Sequence, residues 1–330
     1  MLKYRKDGMS VIVVLGRRRK NNCSITLNSS LHLMMDECLK EGKINSYYRC
    51  RSTLLNIERF AGRDISFGEV TPQWLKECEK YWLCDGKSLT TVNIYMKTLK
   101  CIFYEAIRNG HVQESDSPFG KYGYTAPKPS SRKLALTMTQ IKKIMDYRGP
   151  ERIEMYRDLW LFSYLCNGIN FKDMLNLRYG SISNGEISFV RSKTMYAYGR
   201  SKVIKAVLCP EMQHIINRWG NRYTGRPDTF IFPFLKGTED SFRAAIIVRQ
   251  VIGRCNSALK RIAADIGIPP FTTYAARHSF ATVLQRKGVP ISFISESLGH
   301  SNLSVTENYL AGFDREARFR NALVLTDFGS

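Results

Sequence analysis

Apolar positions recur at helical spacing through most of the chain. Between residues 31 and about 110, Tyr47, Cys50, Leu54, Ile57 and Phe60 form one stripe, and Val92, Tyr95, Leu99, Ile102, Phe103 and Ala106 form another. Both follow the i, i+3, i+4, i+7 rhythm of helices with one buried face. Thr71-Pro72 reads as an N-cap with proline in the first turn, opening a helix through Trp74 and Leu75, and Asn109-Gly110 reads as a helix stop. The pattern predicts a four-helix unit over 31–122, with Trp74, Tyr81 and Trp82 as core aromatics. Two regions read as strands instead. Residues 11–15 and 23–27, separated by a basic turn, predict a small β arm over 1–30; residues 186–193 and 203–208, turning near Tyr198-Gly199-Arg200, predict a hairpin.

Residues 123–134 combine Gly123, Pro127, Pro129, Ser130 and Ser131 with Lys128, Arg132 and Lys133, the composition of a basic linker. A second domain over 135–330 opens on Thr137 and Gln140 at capping-box spacing. It continues through a helix containing Leu159, Phe162 and Leu165 that breaks near Asn167-Gly168. After the hairpin the pattern is helical from Pro210 to the end, interrupted at Gly237, Pro269-Pro270, Gly288-Val289-Pro290 and Gly299. The expected fold is mainly α with a small β hairpin or sheet: one helical domain and one mixed α+β domain that carries a C-terminal tail. A chain of 330 residues is more than one core usually spans, which agrees with two domains.

Charge narrows the function. Lys and Arg number 50 against 29 Asp and Glu, a net +21, so the chain calls for a polyanionic partner. Nucleic acid fits better than an anionic membrane surface, because the basic residues lie along the whole chain and are not gathered on one amphipathic helix. The arm is especially one-sided, with Lys3, Arg5, Lys6, Arg17, Arg18, Arg19 and Lys20 against Asp7, as suits a segment lying along DNA phosphates. No apolar run approaches the length of a membrane span. Nine cysteines, odd in number and without a C-x-x-C pair, suit a reducing cytoplasm better than a disulfide framework.

No phosphate-binding P-loop, dinucleotide glycine motif, H-E-x-x-H or metal-spaced Cys/His set is present, and no tight acidic cluster suggests a two-metal nuclease. Phosphodiester chemistry without metal or cofactor remains. It needs a covalent nucleophile and cations for the charge that builds on the phosphate, and the last third of the chain offers both.

Arg277-His278-Ser279-Phe280-Ala281-Thr282, then Leu298-Gly299-His300, then Tyr309 nine residues after that histidine, closely resemble the signature of the tyrosine recombinases, or phage-type integrases. The resemblance implies a helical core-binding domain over 31–122 and a catalytic domain over 135–330 that together clamp duplex DNA. It also implies breakage and rejoining through a 3′-phosphotyrosyl intermediate, for integration, excision or inversion. Tyr309 is then the nucleophile. Arg277 and His300 grip the phosphate, and Lys193, in Arg191-Ser192-Lys193-Thr194, protonates the leaving 5′ oxygen.

Asn170 stands where the family's pattern has its first catalytic arginine, Asp173 keeps the supporting acid, and Tyr274 replaces the usual histidine three residues before Arg277. The resemblance further implies a homotetramer on two DNA sites, docked through the tail, with accessory DNA-bending proteins as further partners. Arg157, with Arg178 next, is the expected substitute for the missing arginine. A DNA-binding accessory protein of the same fold that does not cut is the alternative, and a type IB topoisomerase shares the chemistry.

Overall fold

The computed structural model describes residues 25–120, 123–127, 134–192, 202–300 and 306. The chain divides into two compact units, Met1–Pro129 and Ser130–Ser330.

The first unit is built from α1 (Leu27–Lys40), α2 (Ile44–Ala61), α3 (Pro72–Cys84) and α4 (Leu89–Arg108). Over its described residues, 25–27, the start of α1 corrects the strand expected at 23–27. Thr26 and Ser29 exchange reciprocal side-chain bonds to each other's N–H groups at 3.0 Å, and among the described residues of this unit the only β pairing is an isolated bridge from Thr26 to Ser66. A capping box of this kind satisfies two orphan donors at once, which outweighs the β preference of Ile25 and Thr26. Thr71 caps α3 by accepting from Trp74 N, with Pro72 in the first turn, and Asn109 caps the end of α4.

The core forms where the stripes meet. Cys50, Leu54 and Ile57 of α2 are buried with Leu75, Cys78 and Trp82 of α3 and with the whole α4 stripe. Trp82 is fully enclosed and donates its indole N–H to the Asn56 carbonyl at 3.2 Å. Of the other two expected core aromatics, Trp74 packs only partly against the cluster, and Tyr81 is a surface residue, 40% exposed.

In the second unit, α5 (Met138–Asp146) begins with the Thr137–Gln140 capping box. Next comes α6 (Glu151–Leu165), in which every residue from Tyr156 to Ser163 is buried. Burial on all faces makes α6 the central rod, packed by α5, α8 (Pro210–Trp219), α9 (Ser241–Asp265) and α10 (Ala275–Arg286). The short helix α7 (Phe171–Leu175) precedes an antiparallel sheet in the order β1 (Ile182–Ser183), β2 (Glu186–Val190), β3 (Val203–Val207). Asn184 and Gly185, with φ of 52° and 73°, make the tight β1–β2 turn, both left-handed as a type I′ two-residue hairpin requires. β2 and β3 pair with Ile187 opposite Ala206 and Phe189 opposite Ile204.

The helical reading from Pro210 onward fails between α8 and α9. There Ile231 N bonds Leu177 O at 2.9 Å, Tyr179 N bonds Thr229 O at 2.9 Å, and Phe230 bridges Arg178. Pro227 and Pro233 cannot extend a helix, and the segment satisfies its backbone by pairing with the chain that leaves α7. The unit's described part ends with α11 (Ile291–Ser297), the Leu298-Gly299-His300 corner and Thr306.

Candidate active site

Two glycines set the geometry around Arg277. Gly168, just past the end of α6, has φ +62°, and a Cβ there would lie 2.7 Å from the Cα of Arg277. Gly299 has φ +64°, and its Cβ would lie 2.5 Å from Ile204 Cδ1. Both positions need a left-handed backbone, and Gly168, pressed against the Arg277 main chain, also needs an absent side chain. They let the first turn of α10 press against the α6 end, and the corner after α11 press against β3.

Arg277 is 3% exposed. Its Nη1 donates to Gly168 O at 3.2 Å and its Nη2 to Leu298 O at 2.5 Å, with His300 Nε2 3.0 Å from the same Nη2. His300 is buried too, and its Nδ1 lies 2.9 Å from the hydroxyl of fully buried Thr306. A guanidinium has no acceptor, so Nε2 accepts from Arg277 and the ring proton sits on Nδ1, donating to Thr306 Oγ1. The pKa of His300 is held down to about 3, first by burial and then by the positive charges of Arg277 and Arg191. The imidazole is therefore neutral at pH 7.

Asp173, also buried, accepts at Oδ1 from Ser192 N at 3.1 Å and from the Ser192 hydroxyl. The carboxylate thus clasps the end of β2. Arg191, next to that clasp, is 7% exposed, and its charge reaches His300. The sequence reading used Arg191 only to locate Lys193. A signal was nonetheless present: Ile187, Phe189 and Arg191 share one strand face, so a charged residue falls where the period of two demands an inward one.

The structure brings Arg277, His300 and Asp173 into one neighbourhood with Arg191. Asn170 sits at the N-cap of α7, two residues from Gly168, and its carbonyl accepts from Met174 N at 2.9 Å. Tyr274, at the N-cap of α10, is 45% exposed, with its ring edge-on to His278 at 4.9 Å.

Arg157 does not join them, and its expected role as a substitute cation is corrected. Its guanidinium is committed to Asp158 at 2.8 and 2.7 Å and to the Tyr147 carbonyl, inside a buried cluster with Glu154. Arg178 is likewise engaged, lying 4.1 Å over the Phe230 ring and donating to Asp228 O. Lys193 and Tyr309 lie outside the described residues, as do residues 1–24 of the basic arm and the tail over 307–330.

A buried arginine with a forked donor set, a neutral imidazole at hydrogen-bond distance and a second inward arginine suit an oxyanion carrying several acceptor atoms, as a phosphodiester does. Among the described residues no group of three or more His, Cys, Asp or Glu is arranged to hold a metal ion. No described helix is long and apolar enough to cross a membrane.

Comparison with known proteins matches residues 135–316 to the phage integrase family and residues 26–123 to the phage integrase SAM-like domain. Tyrosine recombinase XerD of Lacticaseibacillus casei is 36% identical over 229 residues, covering 68% of this chain and 73% of its own length. Among solved structures, the Tn1549 transposon integrase in complex with transposon right end DNA matches with a TM-score of 0.65 at 18% identity, over 92% of this chain and 100% of that one. A lambda integrase tetramer bound to a Holliday junction matches with a TM-score of 0.58 at 17% identity, over 89% of this chain and 81% of that one. At such identities the structural likeness speaks for the fold.

Proposed function

The chain belongs to the phage integrase family, and from that premise we propose that it is a site-specific tyrosine recombinase, breaking and rejoining double-stranded DNA through a 3′-phosphotyrosyl intermediate. The observation that carries this reading is the buried Arg277–His300 pair, tied through Thr306 to the segment in which Tyr309 follows the histidine by nine residues.

In this reading the Tyr309 hydroxyl oxygen attacks the scissile phosphorus, the bond to the 5′ oxygen breaks, and the 3′ phosphate is left on the tyrosine. His300 Nε2 is an acceptor in the free protein, so it can take the phenolic proton. Burial and two cations hold the imidazole neutral, and the negative charge of a pentavalent phosphate beside it offsets both. Once protonated, His300 donates to that phosphate. Arg277 turns its fork from backbone carbonyls to two non-bridging oxygens, a bidentate grip that a lysine could not reproduce. Lys193 gives its proton to the departing 5′ oxygen. Tyr274 and Asn170 add neutral donors where the family's pattern has a histidine and an arginine, and Asp173 positions the strand end that leads to Lys193. Because the phosphotyrosine keeps the bond energy, a 5′ hydroxyl from a partner strand can reverse the step without a nucleotide.

The surplus of basic residues supports a duplex held by its phosphates. Residues 31–122 and 135–330 would each contact the duplex, with the arm over 1–30 along the backbone. Strand exchange between two sites calls for four copies, one per cleaved strand, assembled through the tail, with DNA-bending accessory proteins bringing the sites together. Such a protein works where its DNA substrate lies, which we take to be the cytoplasm.

The test is a duplex carrying a crossover site mapped from covalent junctions, nicked so that the cleaved strand diffuses away. Wild-type protein accumulates a covalent adduct and Tyr309→Phe forms none while binding with similar affinity. Wild-type protein that binds the duplex but never forms the adduct would make this a non-cutting member and overturn the reading.

A further inference from the structure

In the mechanism above, the inward arginine past the end of β2 only tunes His300 and touches no reacting atom. A guanidinium is strongly solvated in water, and placing one 93% out of solvent is costly unless the site is built to use its charge. Here the charge lies within electrostatic reach of the site. Arg191 acts on the His300 imidazole, which lies 3.0 Å from Arg277. Its backbone is fixed by the neighbouring clasp, in which Asp173 takes both the N–H and the hydroxyl of Ser192. Two residues past the Gly168 contact of Arg277 stands Asn170, whose amide can donate to an oxyanion but carries no charge.

We propose that Arg191 is a catalytic residue, the second arginine of the phosphate site, reaching the scissile phosphate from the β2 side and supplying the positive charge that Asn170 cannot. The assignment rests on the recombinase reading above. In it, Arg277 and Arg191 share the non-bridging oxygens as charge builds in the transition state, and Asp173 becomes a positioning residue for Arg191 through Ser192.

Cleavage of two nicked duplexes by the full chain separates this role from a structural one. One carries the ordinary phosphodiester at the crossover site; the other carries a methylphosphonate, whose methyl group replaces a non-bridging oxygen and removes the negative charge. Arg191→Ala is expected to cleave the ordinary duplex about 10²–10³ times more slowly than wild type, the usual effect of removing one preorganised donor. DNA affinity should stay within about threefold. On the methylphosphonate the deficit should shrink to under about tenfold, because the cation has no charge to answer.

Arg191→Lys should show an intermediate deficit on the ordinary duplex, since a point charge cannot fork, and it serves if Arg191→Ala does not fold. A wild-type rate in Arg191→Ala overturns the assignment. So does an equal deficit on both duplexes, which marks Arg191 as structural. Failure of the wild type to form an adduct on either duplex instead overturns the recombinase reading, and this assignment with it.

Discussion

Replacing Arg157 by alanine separates a fold-holding arginine from a catalytic one. The residue is 5% exposed, and its Nε and Nη2 bind Asp158 Oδ1 at 2.8 and 2.7 Å while Nη1 donates to the Tyr147 carbonyl. Its Nη2 also lies 3.9 Å from Glu154. Arg218 completes a balanced quartet, with Nη2 at 2.7 Å from Glu154 and Nη1 at 3.4 Å from Asp158. Removing Arg157 leaves two buried carboxylates facing one cation. Breaking a buried pair typically costs about 3–5 kcal/mol. Asp158 keeps the Trp219 N–H at 2.7 Å and Glu154 keeps the Gly149 N–H at 3.2 Å, which favours the lower end, about 3 kcal/mol. For a domain of this size class, roughly 2–4 °C per kcal/mol, the melting temperature should fall by about 6–12 °C. Cleavage by protein still folded, measured well below the transition, should stay within about threefold of wild type. An unchanged melting temperature together with a cleavage loss of tenfold or more would refute this account and return Arg157 to the phosphate site.

Two further perturbations follow from the same geometry. His300 has a folded pKa of about 3 against an unfolded value near 6.5; the native state binds fewer protons between those values, so stability rises with pH from about 3 to 6.5 and levels off above 7. Urea melts from pH 4.5 to 8 should show that rise, and His300→Gln should flatten it; an unaltered slope would contradict the buried neutral ring. Gly168→Ala combines a φ of +62° with a Cβ 2.7 Å from Arg277 Cα, and should cost about 2 kcal/mol or more in a thermal melt, with cleavage falling further than folding because Arg277 is displaced. A wild-type melt would mean that the α6–α10 contact is loose.

Local signals were legible in the sequence where a few neighbouring residues decide the outcome. Thr71-Pro72, Thr137 with Gln140, Asn109-Gly110 and the α4 stripe all specify caps or faces within one or two turns, and the structure places them accordingly. Asn184-Gly185 carried an equally local hairpin signal that the reading passed over. The start of α1 turned on Ser29 answering Thr26, a bond that competes with the β preference of Ile25 and Thr26.

Partners distant in sequence were a different matter. The pairing of Ile231 with Leu177 depends on a fold already formed. So does the capture of Arg157 by a cluster that includes Arg218, 64 residues from Glu154. Arg277, His300 and Asp173 came from the resemblance to the tyrosine recombinases, whereas Arg191 carried only the strand-face signal of Ile187 and Phe189, and its burial beside the Asp173–Ser192 clasp emerges in the folded unit.

The most direct test of the account is the chemical identity of the covalent junction. Adduct formed on a nicked crossover duplex, digested with nuclease and trypsin and read by mass spectrometry, should carry its nucleotide on Tyr309, joined through a 3′ phosphate, with the other DNA end bearing a free 5′ hydroxyl. Nucleotide on any other side chain, or attachment through a 5′ phosphate, would contradict it.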